Sequence, residues 1–138
     1  MIVKENPILT IENYHQIAKI FKLVNWGERH PQDIQSSFDK STFTCILYDK
    51  GQIIGFGRTF DDGKYYATIC DVAITPTYQS KGYGTHIVNN LRNRLDGFLF
   101  ITLTAAPGKH AFYEKLEWKK QESAFIWPVN DTQEKEHC

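Results

Sequence analysis

One stretch of the chain concentrates residues whose types and spacing can do chemistry: Asp71-Val72-Ala73-Ile74-Thr75-Pro76-Thr77-Tyr78-Gln79-Ser80-Lys81-Gly82-Tyr83-Gly84-Thr85. The apolar run ending in Val72-Ala73-Ile74 reads as a strand. After the loop, HIVNNLRNRL places Ile87, Val88, Leu91 and Leu95 on one helical face. A strand, a short glycine-bearing loop and then a helix aim several backbone N–H groups and the positive end of the helix dipole at one spot. Gly82 and Gly84 leave no side chains where a ligand must approach the backbone closely. The expected chemistry is the cradling of a phosphate or pyrophosphate. A Gly-x-Gly pair alone also fits an ordinary structural turn.

Two nucleotide-phosphate cradles that would make this a nucleotide binder are disfavoured by missing residues. A P-loop requires G-x-x-x-x-G-K-[ST], yet Gly63-Lys64 and Gly108-Lys109 are followed by Tyr65 and His110. A dinucleotide fingerprint requires a third glycine, where Ile87 stands, and an acidic residue about 20 positions on, which is missing.

The elements that must position this loop follow from periodicity and turn chemistry. Residues 12–24 carry Tyr14, Ile17, Ile20, Phe21 and Val24 at helical spacing, with Thr10 or Asn13 as cap, and Pro31 starts a short second helix. Runs 42–49 and 53–60 flank the tight turn Asp49-Lys50-Gly51-Gln52 as a hairpin, and a second turn at 61–64 leads into strand 65–75. Beyond the glycine loop come a helix, an apolar strand at 98–104, the loop Ala105-Ala106-Pro107-Gly108-Lys109, a helix over 110–117, and a last strand expected at 123–129. The order ααβββαβαβ makes an α/β (α+β) chain with a mixed, mainly antiparallel central sheet and flanking helices. The helical crossover from strand 65–75 to strand 98–104 makes that pair parallel.

Composition sets the frame. The 138 residues hold 16 basic and 16 acidic side chains, 41% hydrophobic residues and three cysteines without a CxxC pair. The reading is a single domain over 1–138 with a frayed tail at 130–138, its thiols reduced, and a cytoplasmic location. No apolar run is long enough for a bilayer and no signal core is visible, so no membrane partner is expected. Zero net charge argues against a nucleic-acid partner held by bulk electrostatics. Residues 79–120 nevertheless carry seven basic against three acidic groups, which suits a small anionic ligand. No two histidines or cysteines have metal-ligand spacing, and no metal is expected.

Gln79-Ser80-Lys81-Gly82-Tyr83-Gly84 resembles the [QR]-x-x-G-x-[GA] motif of the GNAT acyl-CoA N-acyltransferase superfamily. Ala111-Phe112-Tyr113-Glu114-Lys115-Leu116-Glu117-Trp118 is similar to the family's A-x-x-F-Y-x-K-x-G-F segment, with Ala directly before Phe, Glu117 in place of glycine and Trp118 in place of phenylalanine. The resemblance spans roughly residues 42–128. It implies a sheet whose parallel pair splays to admit a pantetheine arm, and acetyl-CoA as co-substrate. The implied activity is direct acetyl transfer in a ternary complex to a primary amine, on a small molecule or on a peptide or protein. The alternative is a CoA-binding regulatory module without turnover.

By the same resemblance, the backbone of Val72, Ala73 and Ile74 faces the pantetheine, and the N–H groups of Gln79, Ser80, Lys81, Gly82, Tyr83, Gly84 and Thr85 hold the pyrophosphate. Lys81 adds a point charge, or is an ordinary surface lysine. Phe112 packs beside the cofactor arm. Tyr113 is the expected acid, because a phenol is protonated at neutral pH and can donate to a departing thiolate. Asp71 is the first candidate for the base, with a structural carboxylate as the competing reading; His30 and His86 are lesser candidates. Cys70 reads as a core residue without an activating partner. The acceptor is expected between the N-terminal helices and the sheet, near Trp26, Glu28, Arg29, His30, Phe38 and Arg58, where Glu28 or Asp71 could hold a cationic amine. Dimers are common in the family, so a homodimer is an expectation as well.

Overall fold

Lys50 and Gly51, at φ 51° and 77°, form the two-residue turn that the twist of a hairpin favours. They join β2 (Thr44–Asp49) to β3 (Gln52–Asp61) in the computed structural model, which describes residues 1–138. The next turn is held by the Asp62 carboxylate, which accepts N–H bonds from Lys64, Tyr65 and Tyr66 at 2.8, 2.7 and 3.0 Å. Those bonds hold its carboxyl below the ordinary range. They also launch β4 (Tyr66–Ile74) antiparallel to β3.

The chain divides into two compact units, Met1–Leu103 and Thr104–Cys138. The first contains a five-stranded sheet in the order β1-β2-β3-β4-β5, with β1 (Ile2–Glu5) antiparallel to β2 and β5 (Phe100–Leu103) parallel to β4. The parallel pair and its helical crossover stand as the sequence implies. Strand β1 was not anticipated; all four of its residues are exposed, so no inward-outward alternation marks it.

Helices cover both faces of this sheet. α1 (Ile11–Leu23) starts at Thr10, whose hydroxyl accepts from the Asn13 N–H while the Asn13 side chain accepts from the Thr10 N–H, a reciprocal cap. Its apolar stripe and that of α2 (Pro31–Asp39) bury Tyr14, Ile17, Ile20, Phe21, Ile34 and Phe38 against Ile46, Ile53, Phe56 and Ala73. Each fully buried side chain of this size contributes about 1.5–3 kcal/mol. Adjacent strand residues point to opposite faces, so Gly57, next to Phe56, faces α3 (Tyr83–Arg94). A Cβ at Gly57 would lie 2.6 Å from Ile87 Cγ2 and 2.9 Å from Leu91 Cδ1. Only glycine lets this helix sit so close to the sheet, and the glycine loop is anchored through that contact.

The second unit carries α4 (His110–Lys115), a chain without helix or strand through 118–129, and α5 (Asp131–His137). The strand expected at 123–129 is therefore absent. Phe125 and Trp127 are 98% and 93% exposed, so the apolar run has no partner strand to bury it. The tail expected to fray is helical over 131–137: Asn130 accepts from the Gln133 N–H at 2.8 Å, and Gln133 accepts from the Val129 N–H at 2.9 Å.

Candidate functional site

Strands β4 and β5 pair only from Tyr66–Phe100 to Ile69–Leu103. β4 continues to Ile74, so from Cys70 to Ile74 its side toward β5 has no strand partner. A bulge deepens the departure. Phe56 pairs with Ala73 and Arg58 with Cys70, leaving Gly57 opposite both Asp71 and Val72. Asp71 takes up the extra residue at φ 56°. The splayed parallel pair anticipated from sequence is thus present, with Val72, Ala73 and Ile74 on the strand that borders it.

At the end of β4 a short 3₁₀ turn (Pro76–Tyr78) leads into the loop. The Gln79 amide donates to the Ile74 carbonyl at 2.9 Å and holds the loop against the strand it leaves. Ser80 and Gly82 follow at φ 63° and 87°, and Gly82 is the N-cap of α3 without any side-chain cap. None of the backbone N–H groups from Ser80 to Thr85 donates to an acceptor of the chain. Six consecutive donors therefore remain open at a helix N-terminus, and nothing lies within 4 Å of a Cβ built on Gly82. Unsatisfied donors beside open space fit a di-anionic phosphate group. Lys81 is exposed, with its ammonium 5.6 Å from the centre of the Tyr78 ring. The Tyr78 hydroxyl bonds to the Asp49 carboxylate, and that bond raises the phenol's pKa.

On the α1/α2 face the structure brings Arg58, Asp71 and Arg29 together. Arg58 Nε donates to Asp71 Oδ2 at 2.8 Å, and Arg29 Nη1 to Asp71 Oδ1 at 3.3 Å. The Arg29 guanidinium lies 4.1 Å from the centre of the Phe21 ring, and that of Arg58 5.8 Å from Phe38. Trp26 leans on Phe21 at 5.8 Å, while Phe38 is core. Glu28 pairs instead with Lys22 at 3.3 Å. His30 caps α2 by position and makes no side-chain cap bond. Sequence reasoning named Arg29 only as a neighbour of the acceptor region; its link to Asp71 crosses 42 residues and leaves no local signal. Burial pushes the Cys70 thiol up to about 11, so it is protonated at neutral pH and is a poor nucleophile.

In the second unit, Tyr113 lies on α4 between Phe112 (ring centres 4.9 Å apart) and Trp118 (6.4 Å). The Trp118 N–H donates to the Tyr113 carbonyl at 3.1 Å, so the turn after the helix folds the indole back over it. Burial raises the phenol's pKa above its ordinary value.

A parallel pair that parts beyond Leu103 thus leads to an open N–H cradle before a helix, an arrangement suited to a phosphate-bearing ligand. The profile of the Acetyltransferase (GNAT) family matches residues 11–118, and the chain belongs to that family. It is 32% identical over 110 residues to the uncharacterized N-acetyltransferase ycf52 of Gracilaria tenuistipitata var. liui, a match covering 75% of this chain and 60% of that protein. It is 28% identical over 108 residues to the chloroplastic GCN5-related N-acetyltransferase 1 of Arabidopsis thaliana, covering 75% and 55%. The chain thus spans just over half the length of these curated relatives. In fold it is similar to a probable acetyltransferase of unknown function from Staphylococcus aureus, with TM-score 0.76 and 23% identity over 94% of this chain and all of that one. No helix is long and apolar enough to cross a membrane.

Proposed function

We propose that the chain is an N-acetyltransferase that moves an acetyl group from acetyl-CoA directly to a primary amine. The observation that carries this reading is the run of six open N–H donors, residues 80–85, at the mouth of the β4–β5 gap. Family membership supports it.

In this reading the backbone of Ser80, Lys81, Gly82, Tyr83, Gly84 and Thr85 binds the pyrophosphate, with Gln79 fixing the loop. The backbone of Val72, Ala73 and Ile74, which has no strand partner on its β5 side, takes the pantetheine amides. When bound, acetyl-CoA would supply an activated thioester: the amine nitrogen would bond to the acetyl carbon, the C–S bond would break, and CoA would be the departing thiolate. Tyr113 holds the proton for the leaving sulfur: its raised pKa keeps the phenol protonated through neutral pH, and Phe112 and Trp118 brace the ring. The acceptor amine is placed by the α1/α2 face around Trp26 and Arg58. Asp71 already has a guanidinium on each oxygen, so its proposed part is to hold those groups, and the amine surrenders its proton to water.

The test has two stages. CoA should raise the melting temperature, while ATP and NAD should not; thiol release with a panel of amines should then show turnover. Gly82→Val supplies the control. A valine at φ 87° is strained and enters the open cradle, and CoA affinity should fall by several kcal/mol as charge-assisted bonds are lost together. A folded Gly82→Val protein that binds CoA as tightly as the parent places the cradle elsewhere.

A further inference from the structure

The triad Arg29–Asp71–Arg58 holds more positive charge than its own ion pairs neutralise. Side-chain exposures are 15% for Arg58, 13% for Asp71 and 41% for Arg29, so two guanidinium groups share one carboxylate in a half-buried place. One arginine would suffice to neutralise Asp71. Glu28, the acidic residue of the loop that carries Arg29, is matched by Lys22 and adds nothing to the balance. Each guanidinium carries five N–H donors. Arg29 uses one on Asp71; Arg58 uses one on Asp71 and a long one, 3.4 Å, on the Ser41 hydroxyl. Most of their donors are therefore free, on forks already braced by Phe21 and Phe38. The bulge at Asp71 places this pair beside the segment of β4 that borders the gap.

From these contacts we infer that Arg29 and Arg58 form a receptor for an oxyanion on the acceptor: the amine that this protein acetylates also bears a carboxylate. The inference rests on the acetyltransferase reading above and names its substrate class. Charge and shape both lead there. A planar fork of donors matches the two oxygens of a carboxylate bidentately, and a positive pair disfavours a bare cationic amine. Asp71 sets the spacing of the two forks by holding one on each oxygen.

The experiment reads binding and turnover separately. Side-chain N–H resonances of Arg29 and Arg58 are followed while sodium acetate, then inorganic phosphate, replaces sodium chloride at constant ionic strength. In parallel, kcat/KM is measured for amino acids and for their carboxamides. The expected result is a saturable shift with acetate but not chloride, and at least a tenfold preference for the acid over its amide. In Arg29→Gln, at a half-exposed position, the shift should vanish and the preference should fall several-fold, with CoA affinity unchanged. Arg29→Lys, which keeps the charge and loses the fork, should fall between. No saturable shift, or a preference for the amide, overturns the inference; saturation by phosphate alone overturns the carboxylate assignment. If CoA binds and acetate saturates but no amine is acetylated, the activity fails and the anion receptor stands.

Discussion

The side-chain amide of Gln79 donates to the carbonyl of Ile74 at 2.9 Å, tying the residue just before the cradle, whose own N–H is already bonded to the Pro76 carbonyl, to the last residue of the strand beside the gap. The glutamine of the motif thus acts on the protein, and its effect on a ligand is indirect. Between these two residues lie Thr75 and the 3₁₀ turn, closed by the bond from the Tyr78 N–H to the Thr75 carbonyl at 2.8 Å. The loop is pinned at its start and left open from Ser80 onward.

Gln79→Ala should therefore loosen the cradle without emptying it. A single hydrogen bond of this kind contributes about 0.5–1.5 kcal/mol, so CoA affinity should drop roughly three- to tenfold. The melting temperature of the free protein should hardly change, because Gln79 is exposed. Calorimetric titration of CoA checks both. Unaltered affinity would mean that the open donors arrange themselves without the tether.

Asp71 yields a prediction that separates two roles. Asp71→Asn keeps the shape of the side chain, and asparagine tolerates the positive φ of 56°. What is lost is the one negative charge between two half-buried guanidinium groups. Breaking such a partnership by removing one member should cost a few kcal/mol of stability, about 3, with kcat changed less than tenfold. Urea unfolding and single-turnover rates decide. A protein of parental stability whose rate has fallen by about 10²–10⁴ would make Asp71 the base.

Alkaline pH should weaken the fold through its thiols. Burial pushes Cys45 and Cys70 up to about 11 from an ordinary 9.0. Between those values the unfolded chain has given up protons that the native state still holds, so stability falls as pH rises. Below pH 9 both states hold them, and the full contribution is present. Urea midpoints measured from pH 8 to 11 should decline, and Cys70→Ala should flatten the decline. An unchanged slope in that variant would assign the effect to other groups, Tyr113 among them.

Much of this was legible because the signals are local. The 3.6-residue spacing of Tyr14, Ile17, Ile20 and Phe21 marks α1, Lys50-Gly51 marks the hairpin, and Gln79 to Gly84 marks the cradle within six residues. What failed was non-local. Strand β1 is stabilised by pairing with β2 and buries none of its own residues. The run Phe125-Ile126-Trp127 has the composition of a strand, but a strand exists only where a neighbour accepts its backbone bonds. The bulge at Asp71 depends on the register of β3 against β4, and the Arg29–Asp71 contact depends on where the loop after α1 folds. Neither follows from spacing along the chain.

Tyr113 supports the most direct test of the chemistry. Tyr113→Phe keeps the ring between Phe112 and Trp118 and removes only the hydroxyl, so stability and CoA affinity should change little. If the phenol protonates the departing sulfur, the single-turnover rate should fall by about 10²–10⁴-fold. The defect should grow with thioesters whose thiols are weaker acids, because a less stable thiolate needs the proton more. Steady-state kcat would conceal part of the loss wherever product release is slow, which is why the single turnover is the measurement to make. Burial sets the pH profile. The phenol's pKa lies above its ordinary value of 10.0, so the parent should keep its proton donor beyond pH 10 and lose rate only above that. In Tyr113→Phe that alkaline fall should be absent, because no ionisable donor remains to be lost. Equal rates for parent and variant from pH 6 to 10 would make Tyr113 a packing residue of α4 and leave the proton to solvent.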